Sequence, residues 1–551
     1  MKKMRRLTSP LHAPALAVVA MILLLGTAAT TPAGAAGNRK LFAQVGTQAD
    51  PNAFVISLKD SAGQPVGLLG AGNYDIQIDD WASFHNFHLF HSGGADVFTT
   101  PIAGTEHTTM TGVSLSSGSY EYHCDPHATS LKGTFSVVPA LAPDGSGTMT
   151  SPTRYVSAGG TGRTISFTYK AATGGMGGGA ISLVVPSGWS APSTTGSAPG
   201  FVTASKGLVS VASRTITVRG LTLASGATFT LTYGAKNLGG PGATVTSSVG
   251  TQTWLTKQRS TSDGVLTNLA TSPAIQIVSA DGSGTVSTPT SFVPNHSTGN
   301  TISFTYTAAA GGTVAGVITL TVPSGWSAPS ITGTAAGYSK ANKGTLAVSG
   351  QKIILSKLTL SAGSTVTITY GSKALGGPGA TAPTTGGIQT WWVGERSAPG
   401  GTLKFLSSPH ITVLSPDGAG TMTTPTTSVA RGSTGRTIVF TYTVAAGGVR
   451  NGGLKLLVPA GWSVPTTVGT AAGYSKSSAG TLTVVNRTIV VTGLNLLTGQ
   501  KVTITYGSKA LGGPGATAPG SALTQTWTTT ERSSSVGIFK VIASSPQITI
   551  T

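Results

Sequence analysis

The stretch DGSGTM beginning at Asp144 returns as DGSGTV at Asp281 and as DGAGTM at Asp417. Between these points the same landmarks recur in the same order. ISFTY, ISFTY or IVFTY comes first. A VPSGW or VPAGW turn then carries Trp189, Trp326 or Trp462. YGAKNLGGPGA or YGSKALGGPGA follows, then QTW with Trp254, Trp391 or Trp527, and a closing alternating strand. A unit of this length is long enough to close its own core, so the chain must build one module three times. Within each unit, short runs alternate apolar and polar residues between Gly and Pro punctuation, which is the period of strands and not of helices. Roughly eight such strands per unit predict a β-sandwich of immunoglobulin-like appearance. The turn tryptophans are expected in the core, and Gly-Gly-Pro-Gly reads as a rigid surface turn. Chemistry is scarce in these units. His296 and His410 fall at unmatched places, and no unit offers a paired acid, a Ser-His-Asp set or a metal-ligand cluster. A spacer, a wall attachment or a binding surface is expected there, and no enzyme.

The chain opens with basic MKKMRRLTSPLH, apolar APALAVVAMILLLGTAAT and small residues at Ala33-Gly34-Ala35, the layout of a cleaved signal peptide over 1–35. An uncleaved anchor is the competing reading. No second apolar run reaches spanning length, so no transmembrane span is expected after cleavage, and the mature chain should be secreted or held at the cell surface. The organisation that follows is a head over 36–140 and units over 141–280, 281–416 and 417–551. Charge divides the same way. Residues 36–140 carry four Lys/Arg against nine Asp/Glu, and residues 141–551 carry twenty-six against six. The basic side chains are too dispersed for a nucleic-acid groove, and the exported location argues against that partner. An acidic cell-envelope polymer is the partner class that a weakly basic tail suits.

The head holds six of the nine histidines, between His85 and His127, and the single cysteine, Cys124. Alternating runs (AFVISLKD with Phe54, Ile56 and Leu58; NYDIQIDDW with Tyr74, Ile76 and Ile78; KGTFSVV with Phe135 and Val137) predict six to eight strands in a small sandwich. A lone thiol in an oxidising compartment is either a buried apolar group or a metal ligand. With imidazoles beside it, a thiolate makes a soft site suited to copper. Cys124 should end a strand, Asp125-Pro126 should turn, and His127 should return to the same centre, with His85 closing the third position. Alternation places His85, Phe87 and Leu89 on one face and Asn86, His88 and Phe90 on the other, so His85 and His88 should not ligate together. His123 should point away from the metal, as an accessory or an ordinary histidine. His88, His91 and His107 are the residues from which a second, looser copper or zinc site would be assembled.

His85-Asn86, Cys124-Asp125-Pro126-His127 and the following Lys132-Gly133-Thr134-Phe135 resemble the plastocyanin/azurin group of cupredoxins, over about residues 40–140. The resemblance implies a Greek-key sandwich, one type 1 copper ion held by His85, Cys124 and His127, and one-electron transfer to a redox partner, which the acidic head would prefer basic. Asn86 would tie the two ligand segments together and donate toward the cysteine sulfur. The family's axial methionine is missing: Leu131 holds that place and cannot coordinate, and Met110, upstream of the cysteine strand, is a poor substitute. A three-coordinate site of raised potential would follow. The other function expected from the sequence is a structural or adhesive surface protein whose copper head stores, senses or is vestigial.

Overall fold

The computed structural model describes residues 38–551, and the expected signal peptide lies outside them. All elements of these residues are strands except for one 3₁₀ turn at Asp125–His127. No helix among the described residues is long and apolar enough to cross a membrane.

The head has nine strands, rather than the expected six to eight: β1 (Arg39–Val45), β2 (Ile56–Asp60), β3 (Leu68–Gly70), β4 (Gly72–Asp80), β5 (His88–His91), β6 (Asp96–Thr99), β7 (Glu106–Leu115), β8 (Gly118–His123) and β9 (Lys132–Val138). They form two sheets, β2-β1-β4-β7 and β3-β9-β8-β5-β6. Period-two alternation drives both inner faces. Tyr74, Ile76 and Ile78 from β4 meet Phe87, Leu89, Tyr120, Phe135 and Val137 from the other sheet in one buried cluster. Phe54 departs from its expected place. It precedes β2 and is 61% exposed, whereas Leu58 is buried.

Each of the three units repeats one arrangement of twelve strands in sheets of four, three and five, where about eight strands were expected. The excess consists of two- and three-residue strands that pattern reading cannot separate from turns. The all-β, tandem-sandwich class expected from the sequence is what the chain shows. In the first unit the four-stranded sheet pairs Thr148–Thr150, Ile165–Lys170, Thr228–Tyr233 and Val202–Ala204. The VPxGW tryptophan stands edge-on to the QTW tryptophan in every copy, at 5.1 Å for Trp189–Trp254, 5.2 Å for Trp326–Trp391 and 5.4 Å for Trp462–Trp527. All six rings are buried. The turn around the first ring is fixed by Arg214, whose Nε donates to the Val185 carbonyl at 2.9 Å and whose terminal nitrogen donates to the Pro186 and Trp189 carbonyls. Arg487 does the same in the third unit, to Val458, Pro459 and Trp462. Part of the basic excess is thus internal scaffolding.

The opening Asp-Gly also has a structural task. Asp144 accepts the backbone N–H groups of Ser260 and Val265; Asp281 accepts those of Ser397 and Thr402; Asp417 accepts those of Ser533 and Ile538. Each carboxylate pins a loop more than a hundred residues downstream. Beside it lies a buried side chain that differs between copies: Gln258, Glu395 and Glu531. Gln258 Oε1 accepts from Gly145 N at 2.7 Å, and Glu531 Oε2 accepts from Gly418 N at 2.7 Å.

Candidate metal centre

Strands β5 and β8 are antiparallel neighbours in the register His88↔His123, Leu89↔Tyr122. That register brings the chain just before β5 and the chain just after β8 to one end of the sheet. His85 lies on the first segment and Cys124 on the second. Pro126 enters the 3₁₀ turn near its start, where its missing N–H is not needed. The loop then closes on itself: His127 N donates to Cys124 O at 2.9 Å, Leu131 N to His127 O at 2.9 Å, and Cys124 N to Leu131 O at 3.0 Å.

Three ligand atoms converge as a result. Cys124 Sγ lies 3.3 Å from His85 Nδ1 and 3.5 Å from His127 Nδ1. The two imidazole centroids are 4.7 Å apart. His85 and Cys124 are fully buried and His127 is half-buried. The exposed ring of Phe54 lies edge-on over both, 5.6 Å from His85 and 4.9 Å from His127, and Phe84 lies 4.3 Å from His85. His85 Nε2, on the far side of its ring, is buried without a hydrogen-bond partner. Burial, joined by the neighbouring His127, holds the His85 imidazole below its usual pKa, which favours the neutral form that can donate a lone pair. Burial pushes the Cys124 thiol up, against the backbone N–H groups of Asn86 and His127 that point at its sulfur. Asp125 and Asp80 add to the upward push. A cation among the three atoms would reverse that balance, because it favours the thiolate directly.

Asn86 joins the two ligand segments, but not as expected in every respect. Its Nδ2 donates to Asp125 Oδ2 at 2.7 Å, Thr99 Oγ1 at 3.0 Å and Thr100 O at 3.3 Å, while its Oδ1 accepts from Asp125 N at 2.8 Å. The group directed at the sulfur is its backbone N–H and not its side-chain amide. Leu131 is buried and reaches Cys124 through its carbonyl. Met110 belongs to β7 on the opposite sheet, paired with Ile76.

A second set forms on the other face of β5 and β8. His88 Nδ1 and His123 Nε2 both approach Asp125 Oδ1, at 2.8 and 3.0 Å. The ligand atoms of these three residues lie within 4.8 Å of one another, as do those of His85, Cys124 and His127, so two groups could hold a metal ion. The grouping of His88 with His91 and His107 does not form. His91 packs on Tyr120 at a centroid distance of 4.9 Å, and His107 sits on the opposite sheet against Asp79 and Trp81. Cross-strand register, which the sequence alone did not supply, decides that His123 is the partner of His88. Phe54 was likewise missed as part of the site, because its alternation pointed it to the core.

No protein-family model matches the chain, and no curated protein matches it in sequence. Among solved structures it is similar to FdeC, an Escherichia coli adhesin, at 15% identity over 75% of this chain and 99% of that one, with a TM-score of 0.22. It is similar to the C-terminal domain of the Streptococcus pyogenes antigen I/II-family protein AspA at 8% identity over 48% and 99% of the two chains, TM-score 0.26. It is similar to the Yersinia pseudotuberculosis adhesin InvE at 14% identity over 62% and 72%, TM-score 0.17. Overlaps this loose fix no family and no ligand. No family model matches the head and none of the structures named here is a blue-copper protein, so the cupredoxin assignment and the electron-transfer role that followed from it are corrected. The physical reason for the error is that the resemblance rested on a few ligand-spaced residues. Such spacing specifies what a site can bind, and any sandwich that ends two neighbouring strands at one edge can present it.

Proposed function

We propose that the chain is a structural or adhesive protein of the cell surface that works by binding and not by catalysis, and whose head holds one copper ion, as a store or a sensor, between His85, Cys124 and His127. The observation that carries the head's part is the convergence of Cys124 Sγ and two Nδ1 atoms within 3.5 Å of the sulfur. One thiolate and two imidazoles under an apolar rim of Phe54 and Phe84 suit a soft, monovalent copper ion better than a hard cation. When bound, copper would supply a positive charge that keeps the thiolate ionised; the chain's own residues orient the ligands and shield them from water. Asn86 holds the two ligand segments at a fixed separation, and Phe54 covers the imidazole edges. Support for the surface role comes from the build of the tail: three sandwiches of one design and a weakly basic surface suited to an acidic envelope polymer.

Two measurements test the two halves separately. The full chain should retain one equivalent of Cu(I) against a competing chelator, and Cys124→Ser should release it; equal retention by both proteins would sink the copper assignment. The three-unit fragment should sediment with envelope material at low salt and be released as salt rises. Failure to sediment at any salt would remove the polymer-binding role.

A further inference from the structure

The pair of histidines that the copper site leaves aside is built like a metal site in its own right. His88 and His123 face each other across β5 and β8, and Asp125 returns from the following turn to meet both. What sets this trio apart from an ordinary surface ion-pair network is what holds each member's other polar atom. His88 Nε2 contacts Asp96 Oδ1 at 3.1 Å. His123 Nδ1 lies 3.6 Å from Glu121 Oε1. Asp125 Oδ2 accepts from Asn86 Nδ2 at 2.7 Å. Each imidazole turns one nitrogen to the centre and the other toward a carboxylate, and for His88 that carboxylate is within hydrogen-bond reach, the arrangement that fixes ring orientation and raises basicity in metal sites. Both histidines are half-buried in place, with 18% and 17% of their side chains exposed, so little order remains to be gained on binding.

We propose that His88 Nδ1, His123 Nε2 and Asp125 Oδ1 form a second metal site, for a borderline divalent cation of the zinc class. The donor set of two imidazole nitrogens and one carboxylate oxygen, without sulfur, fits such a cation and leaves a coordination position for water or an external ligand. Asp96, Glu121 and Asp125 give the site three carboxylates facing two imidazoles, a balance that draws in a dication. The centre requires only a small opening: ligand atoms now 2.8 and 3.0 Å apart would stand roughly 3.3 Å apart around a tetrahedral ion with bonds of about 2.0 Å. The soft thiolate site and this harder one would then sit back to back on neighbouring residues, Cys124 on one face and Asp125 on the other. The second site is independent of whether the first takes copper.

Titration of the full chain with Zn²⁺ alone separates the two centres. The wild-type protein should take up two equivalents, Cys124→Ser one, and Cys124→Ser combined with His123→Gln none. Asp96→Asn in the Cys124→Ser background should weaken the remaining site about tenfold, because it removes only the carboxylate that orients His88. Zinc uptake by the double variant equal to that of Cys124→Ser overturns the proposal, as does no uptake by Cys124→Ser. Should His123→Gln fail to fold, zinc-edge anomalous scattering from zinc-loaded wild-type crystals decides. A peak bonded to all three named atoms supports the site, and full loading without a peak there refutes it.

Discussion

Glutamate 531 is the residue whose replacement should stabilise the protein most clearly, and the third unit itself supplies the magnitude. Its side chain is 1% exposed and its Oε1 has no hydrogen-bond partner. Burial pushes its carboxyl up to about 8, helped by the charge of Asp417 and opposed by the N–H groups of Gly418 and Ala419. The folded-state pKa is thus raised above the ordinary value of 4.5. Its contribution to stability is fully present below the unfolded pKa and is lost as pH rises through about 8. At pH 7 the unfolded chain ionises this group freely and the folded chain does not, a difference of about 3 kcal/mol. Glu531→Gln removes that penalty. The first unit already carries the replacement, since Gln258 keeps the contact to Gly145 N and adds a bond from Nε2 to Ser260 Oγ at 2.7 Å. Scanning calorimetry of the full chain should show no gain for Glu531→Gln at pH 4. At pH 7 the transition of the third unit should rise on the order of 10 °C, the equivalent of about 3 kcal/mol in a module of this size. A gain independent of pH, or destabilisation at pH 7, would refute the argument, since both would mean that the carboxyl is ionised in place.

Further outcomes follow from the same contacts. Glu395→Gln should act in the same direction on the second unit, whose carboxyl is also pushed up by burial, and its pH profile in calorimetry checks this. Asn86→Ala should destabilise the head by about 1–2 kcal/mol, because it removes the acceptor of the part-buried Asp125 N–H and the amide that ties Asp125 to Thr99 and Thr100; denaturant unfolding followed at the head, with Cu(I) retention measured alongside, reads both effects. Arg487→Ala should lower the third unit's stability by about 2 kcal/mol through the loss of charge-assisted bonds to three carbonyls, and hydrogen exchange at the Trp462 turn should rise. Trp254→Ala should cost about 3–5 kcal/mol by opening a cavity among Phe167, Trp189 and Tyr233.

Repetition made the architecture legible before any coordinates: three copies of DG, VPxGW and QTW marked the units, and period-two alternation marked their strands. The buried faces of β4 and β9 were readable residue by residue for the same reason. The convergence of His85, Cys124 and His127 was readable from turn chemistry, because Pro126 and a strand end leave His127 few places to go. What the sequence left open depends on pairing between distant strands. The His88↔His123 register, the reach of Asp125 to both rings, and the exposure of Phe54 all follow from which strand lies beside which. Ligand spacing over residues 40–140 misled as to the family of the head, because such spacing tells what a site can bind and not which fold carries it.

One pairing recurs in all three units and bears on a chain held between two points. Tyr155–Ser157 runs parallel to Ala274–Val278, Phe292–Val293 to His410–Val413, and Ser428–Val429 to Gln547–Ile550. In each unit one of these strands lies near its beginning and the other near its end. Tension applied along the chain therefore pulls the two strands past each other lengthwise, and the bonds between them must fail together instead of one at a time. Under load, each module would behave as a shear clamp that keeps its length until the clamp breaks, so that three in series would transmit a pull to the head without paying out slack.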